Sequence, residues 1–267
     1  EKEVMTMTDS RFIIKLYECY TDDQFLYLLL EPALGGELYA TYRRVGMYGS
    51  MKHARYYAAS VVMALEHLHE RYIIYRDLKP ENLILSEKGM LKLTDMGLAR
   101  FCVGKAFSTV GTPEYFAPEI IASSGHNKAV DWWTFGILVF ELLAGHTPFV
   151  ARKSSDICKK VLKGIDDVNF PPVAKGETKE LVEALLTKDP SQRLPMRAGG
   201  NALLKKHQWF AGFDWDALKA GSLPVPYKPD VRHSKDLSNF CAKQEHAPKP
   251  VQYNDDGSGC FDEWATI

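Results

Sequence analysis

The stretch from Lys128 to Leu143 is apolar nearly all round, and no other feature of the chain limits its fold so strongly. A helix with one apolar stripe can lie on a surface, whereas a helix apolar on every side has to be surrounded by protein. Its most apolar part, Trp132 to Ala144, carries Glu141 and is shorter than the roughly 20 apolar residues a membrane span needs. The pattern therefore predicts a buried central helix. With 267 residues the chain can surround such a helix, as one large domain or two small ones. A composition 46% hydrophobic and 25% charged is that of a soluble globular protein, and a net charge of −1 gives no reason to invoke nucleic acid or a membrane surface.

Around that helix the chain reads mostly as helix. Residues 1–8 look like the end of one. Phe12–Tyr20 and Gln24–Glu31, separated by Thr21-Asp22-Asp23, carry a hairpin signal, and Gly35-Gly36 breaks it. Ser50 is placed to cap a helix running to about Arg71, with Ala54, Tyr57, Ala58, Val61, Val62, Leu65 and Leu68 at helical spacing. Ile73–Leu85 and Met90–Leu93 read as short strands around polar loops. Further helices are expected near 153–163, 177–187 and 201–207. Beyond about residue 212 the chain turns polar and proline-punctuated, so that segment either wraps on the main body or stays disordered. Cys19, Cys102, Cys158, Cys241 and Cys260 lie far apart without a CxxC pair, which fits reduced thiols and no zinc site.

Chemistry concentrates in three strings. In Tyr75-Arg76-Asp77-Leu78-Lys79-Pro80-Glu81-Asn82, Asp77 can take a proton from a hydroxyl. Lys79 can neutralise phosphoryl oxygens, and Asn82 can bind a metal through its amide oxygen. Phosphoryl transfer needs those three functions together. Asp95-Met96-Gly97 follows a predicted strand and offers Asp95 as a second magnesium ligand. Gly111-Thr112-Pro113-Glu114-Tyr115 then runs into Ala117-Pro118-Glu119. In this order and spacing the strings resemble the signature set of the eukaryotic protein kinases, over essentially the whole chain.

The resemblance implies an α+β, protein-kinase-like fold using ATP and Mg2+. Residues 1–33 would be a remnant of the β-rich N-lobe (end of helix C, two strands, hinge), 34–211 a mostly helical C-lobe, and 212–267 an extended C-terminal tail. Asp77, Lys79, Asn82 and Asp95 would be catalytic, Asn82 and Asp95 being the metal ligands. ATP would meet Glu1, Leu30, Glu31, Ala33, Glu37, Glu81, Leu83, Thr94, Asp95 and Phe240. Arg76, Glu119, Asp131 and Arg193 would be structural: Asp131 braces the catalytic loop, and Glu119 pairs with Arg193. Thr112 and Lys79 favour Ser/Thr over Tyr as acceptor. Glu37, Glu81 and Glu141 would hold basic side chains of protein substrates two and three residues before the target. Ser108, or its neighbour Thr109, would be the activating phosphosite, its phosphate held by Arg76 and Arg100.

Tyr75, the Asp131-Trp132-Trp133 string and Ser238-Asn239-Phe240 resemble the AGC group, and within it the cyclic-nucleotide-dependent kinases. Similarity to the cGMP-dependent family rests on Glu31–Leu38, Lys163–Asp166, Gly212–Trp215 and Asn254–Gly259. It implies cyclic-nucleotide regulatory domains upstream and a cytoplasmic location. Several departures stand out. Met96 replaces a Phe, Pro195 a Gly and Cys260 a Trp. No Gly-rich loop or strand Lys is present; both are expected before Glu1, which aligns with the acid that pairs with that Lys. The chain as it stands is expected to bind ATP weakly and to leave apolar surface uncovered near Phe12, Ile13 and Tyr27. A pseudokinase scaffold and a small-molecule kinase are the rival readings.

Overall fold

The apolar run is the helix Ala129–Ala144, and every residue from Ala129 to Leu143 in it is buried. The helix ends at Gly145, whose φ of 79° lets its N–H reach Glu141 O at 2.8 Å. Midway, a Cβ on Gly136 would sit 2.9 Å from Leu185 Cβ, so a neighbouring helix packs too close for any side chain there. The structure, a computed structural model, describes residues 1–22 and 25–240 and the backbone of 265–266.

In chain order, α1 (Lys2–Thr6) leads to the antiparallel pair β1 (Leu16–Thr21) and β2 (Leu26–Leu30). The expected hairpin is present, its turn held by Phe25 N–H donating to Asp22 Oδ1 at 2.7 Å. β3 (Gly36–Glu37) precedes α2 (Leu38–Val45) and α3 (Met51–His69). Then come β4 (Ile73–Ile74), β5 (Leu83–Leu85), β6 (Leu91–Leu93) and β7 (Arg100–Phe101). Helices α4 (Pro118–Ile121), α5 (Ala129–Ala144), α6 (Ser154–Lys163), α7 (Glu177–Leu185), α8 (Asn201–Lys205) and α9 (Trp215–Ala220) complete the body. Two residues of a last strand, β8 (Ala265–Thr266), lie parallel to β1. The small sheets run β2-β1-β8, β3-β5-β6 and β4-β7.

The core lies where α5 packs between α3 and α7. Ala54, Tyr57, Ala58, Val61, Val62, Leu65 and Leu68 of α3 are all fully buried, as their spacing requires. Ser50 is the N-cap of α3, as expected, but its hydroxyl bonds no helix N–H: it sits 2.7 Å from the His53 side-chain Nδ1, and its backbone carbonyl accepts from Ala54 N–H at 2.9 Å. Phe12 and Ile13, expected to be uncovered, are buried. The cause is a stitch to β6, with Leu93 N–H donating to Phe12 O at 2.8 Å and Ile14 N–H to Leu93 O at 2.9 Å. Tyr27 does stay 40% exposed.

Residues 212–240 wrap on this body. Leu223, Val225 and Tyr227 pack against the core. Gly89, at φ +83°, lets the backbone carbonyl of Tyr227 come so close that a Cβ would overlap it. Gly36, at φ +85°, does the same for Asn239. The Asn239 amide donates to Leu34 O at 3.1 Å, and Arg44 donates to Asn239 Oδ1 at 3.2 Å. α9 was not expected from the polar composition. Its cap is readable in hindsight: Asp214 accepts from Ala217 N–H at 2.8 Å. Cys19, Cys102 and Cys158 are unpaired thiols; Cys241, Cys260 and the Asn254–Gly259 string lie outside the described residues.

Arg193 is fully buried, and each of its guanidinium nitrogens has a hydrogen-bond partner. It donates to Glu119 Oε1 and Oε2 at 2.6 and 2.7 Å, to Ala129 O at 2.7 Å and to Thr187 O at 3.1 Å. Its guanidinium also lies 5.1 Å from the Trp133 ring centroid. Removing one partner strands a buried charge, so Arg193→Met is expected to cost about 3–5 kcal/mol in urea denaturation. Lys163→Met, which opens only the exposed pair with Asp167, should leave the midpoint unmoved.

Candidate active site

The segment after β4 holds an unusual backbone. Arg76 sits at φ 72°, a left-handed conformation that costs a non-glycine residue about 1–2 kcal/mol. Asp131, fully buried on α5, offsets this cost. Its Oδ2 accepts from Tyr75 N–H at 2.9 Å and its Oδ1 from Arg76 N–H at 2.8 Å. His69, at the end of α3, places Nε2 2.7 Å from Oδ2 of the same carboxylate. The sequence reading gave Asp131 this bracing position but missed His69, which no spacing marks. The Tyr75 hydroxyl donates to Thr94 O at 2.6 Å, linking the segment to the strand that leads to Asp95.

Beyond Arg76 the side chains converge. Asp77, 7% exposed, accepts from Lys79 Nζ at 2.7 Å and from Asn82 Nδ2 at 2.9 Å on Oδ2. Thr112 Oγ1 donates to Asp77 Oδ1 at 3.3 Å and accepts from Lys79 Nζ at 3.2 Å. Asn82 closes a 3-10 turn, Pro80–Asn82, and its amide also donates to Asp77 O at 2.9 Å. Its nitrogen is thereby committed to Asp77, and its oxygen is the atom suited to a cation. Asp95 stands at φ 57°, with Gly97 N–H donating to its Oδ1 at 3.1 Å. It makes no direct bond to Asp77, Lys79 or Asn82, although Thr94 N–H donates to Asn82 O at 3.0 Å next to it. Burial first, and then the carboxylates of Asp77, Asp95 and Asp131, push the Tyr75 phenol well above its ordinary range.

Among the described residues no three His, Cys, Asp or Glu side chains meet as a self-sufficient metal cage. Asn82 and Asp95 supply hard oxygen donors instead. That small set suits magnesium, which commonly takes one or two carboxylates and completes its shell with phosphates and water. Glu1 Oε1 accepts from Met96 N–H at 3.3 Å, and Met96 itself is fully buried. Around 30–33 the side chains serve the fold. Leu30 packs on the core, Ala33 is buried, and Glu31 pairs with Lys92 at 2.9 Å. Leu83 is buried in β5, and Phe240, half-buried, donates its N–H to Leu237 O at 2.9 Å.

The acidic residues divide. Glu37 and Glu81 are exposed. Glu141 is 7% exposed and accepts a 2.5 Å hydrogen bond from Tyr115 Oη. Burial raises the Glu141 carboxyl to about 7, the Tyr115 hydrogen bond opposes that rise, and Glu81 and Glu114 add to it. Glu81, Glu114 and Glu141 thus form one acidic patch; Glu114 was missed although it lies inside a string already singled out. In the segment leading to Thr112, Arg76 Nη1 donates to Ser108 Oγ at 2.6 Å, whereas Thr109 is exposed. Arg76 is shifted down by burial first and then by Arg100, so the two cations share this neighbourhood.

The Glu141 carboxyl band in the infrared is expected to titrate with a midpoint near pH 7. Glu81→Gln should lower that midpoint and Tyr115→Phe should raise it. The folded chain keeps this proton where the unfolded chain has released it. Stability carried by Glu141 therefore falls as pH rises from 4.5 to about 7, and Glu141→Gln should flatten that slope in pH-dependent denaturation.

The protein kinase domain family matches residues 1–210 of the chain. The cAMP-dependent protein kinase catalytic subunit of Dictyostelium discoideum is 43% identical over 240 residues, covering 90% of this chain and 37% of that protein. The cGMP-dependent protein kinase isozyme 2 forms cD5/T2 of Drosophila melanogaster is 41% identical over 252 residues, covering 94% and 27%. The cAMP-dependent protein kinase catalytic subunit PRKX of Homo sapiens is 40% identical over 240 residues, covering 90% and 66%. The chain therefore spans only about a third of the first two relatives. With the convergence of Asp77, Lys79, Asn82 and Thr112 and a family match over most of its length, the chain belongs to the protein kinases, in their AGC group.

Proposed function

We propose that the protein carrying this chain transfers the γ-phosphoryl group of ATP to serine or threonine in basic sequence contexts, under the control of cGMP. The observation that supports the transfer most directly is the cluster of Asp77 with Lys79, Asn82 and Thr112. Asp77 orients the acceptor hydroxyl and takes its proton. Lys79 neutralises the transferring phosphoryl oxygens, and Thr112 holds both side chains in register. Asn82 and Asp95 would hold magnesium, which would supply charge neutralisation to the phosphates. In this reading Glu1, Leu30, the backbone of Glu31 to Ala33, Leu83, Thr94 and Phe240 border the nucleotide. Residues 1–33, 34–211 and 212–267 act as N-lobe remnant, C-lobe and tail.

Glu37, together with the Glu81 and Glu141 side of the acidic patch, receives arginines two and three residues before the target. Paired guanidinium and carboxylate give charge-assisted, often bidentate bonds. Ser108 is the activating site, because its hydroxyl already touches Arg76 with Arg100 nearby. Regulation by cGMP rests on likeness to the cGMP-dependent relatives, and the cAMP-dependent relatives at similar identity favour a second reading, control by cAMP. No helix among the described residues is long and apolar enough to cross a membrane, and we place the protein in the cytoplasm.

In the full-length protein, Asp77→Asn is expected to lower kcat for a basic peptide about 10²–10⁴-fold with little change in KM. Retained turnover would overturn the assignment. Because Glu141 loses its charge as pH falls through 7, KM for an arginine-containing peptide should rise between pH 8 and pH 6. A peptide lacking the arginines should show no such rise. Mass spectrometry of the active protein should find phosphate on Ser108, and comparing cGMP with cAMP as activator separates the two regulatory readings.

A further inference from the structure

A cavity of ≈ 630 Å³ opens between the segment at 31–34, the turn at 87–88 and the tail at 228–234. It is separate from the Asp77 cluster. Its charged lining is Glu31, Glu87, Lys88, Lys228 and His233, and Ser234 also faces it. Glu31 is already neutralised by Lys92 at 2.9 Å. Among the described residues Lys88 and Lys228 make no ion pair, and Glu87 is the one carboxylate of the described lining that is not already paired. Two ammonium groups against one unpaired acid leave the cavity short of negative charge, beside an exposed hydroxyl.

We propose that Ser234 is a phosphorylation site and that its phosphate is held in this cavity by Lys88 and Lys228. A phosphoserine carries about −1.5 to −2 charges and three strong acceptor oxygens, which is the complement the lining lacks. Arg232 stands two residues before Ser234, the charge pattern a basophilic kinase reads. Its guanidinium is held by Asp236 at 2.9 Å; Asp236 is buried, but its carboxylate also accepts the backbone N–H groups of Arg232 and Ser238, and these stay with it when the 67% exposed Arg232 side chain turns to a kinase. In the modification the Ser234 hydroxyl gives its proton to the kinase's catalytic carboxylate. A bond forms between Oγ and the γ-phosphorus of ATP, the bond from that phosphorus to the β,γ-bridging oxygen breaks, and ADP leaves. Ser238 is the poorer candidate, because its N–H rests on Asp236 Oδ1 at 3.0 Å and a phosphate there would face that carboxylate.

Lys88 belongs to the body of the fold, while Lys228 and Ser234 belong to the tail. The phosphate therefore bridges the two and fastens the tail beside residues 31–34. The proposal does not require this chain's own activity, so its test is independent of the proposed function. In one arm, phosphoserine is installed at 234 during translation. Hydrogen exchange of residues 228–240 should slow at least several-fold relative to the unmodified protein and to Ser234→Ala. Lys88→Ala with Lys228→Ala should abolish that slowing while leaving the unmodified protein's exchange unchanged. In the other arm, a purified basophilic kinase, its activity verified on a reporter peptide, is given the full chain with Mg-ATP, and the product is mapped by mass spectrometry. Phosphate at Ser234, absent from Ser234→Ala, is the expected result. Exchange that is unaffected by phosphoserine, slowing that survives loss of both lysines, or phosphate confined to other residues would each overturn the proposal.

Discussion

The cluster around Asp77 hangs on one carboxylate on the central helix, that of Asp131. Asp131 sits on the most deeply buried helix and accepts hydrogen bonds from the backbone of Tyr75 and Arg76, with His69 on the same oxygen as Tyr75. A buried charge without donors is prohibitively unfavourable, and a left-handed arginine without restraint relaxes. Each problem removes the other. The strained loop supplies the N–H groups that the charge needs, and the charge fixes the loop conformation that aims Asp77, Lys79 and Asn82 at one another.

The two buried ionic centres divide the labour. Arg193 and Glu119 fix the polypeptide around α4 and α5 through four hydrogen bonds that engage every guanidinium nitrogen and both carboxylate oxygens. Glu141, on the same central helix, is held differently, with one hydrogen bond from Tyr115 and two further acids close enough to disfavour its charge. The second is poised to change charge near pH 7, so a single helix anchors the fold at one end and carries a tunable acid at the other.

Much of this was legible from residue order. The all-round apolar run had to become a core helix, and the seven apolar positions of α3 followed from a 3.6-residue period. The cluster of Asp77, Lys79 and Asn82 could be read because these side chains sit within eight consecutive residues. What stayed hidden was whatever depends on distant pairing. Nothing near His69 announces that it meets Asp131, since their juxtaposition is created by α3 packing on α5. Phe12 and Ile13 looked uncovered because their partner strand, β6, comes some 80 positions later. α9 escaped notice since a six-residue helix in a proline-rich segment has too little periodicity to stand out, and only its Asp214 cap marks it.

The bond between Asn239 and the Leu34 carbonyl joins residues 205 positions apart. A ribosome delivers the early part of this chain many seconds before the late part. Until Asn239 emerges, the Leu34 carbonyl has only water to bind, and the bare surface at Gly36 has no cover. A message cut short between residue 211 and that codon would thus yield a polypeptide whose central helix and strained loop can form while this edge stays open, a species for quality control to recognise by its unfinished seam.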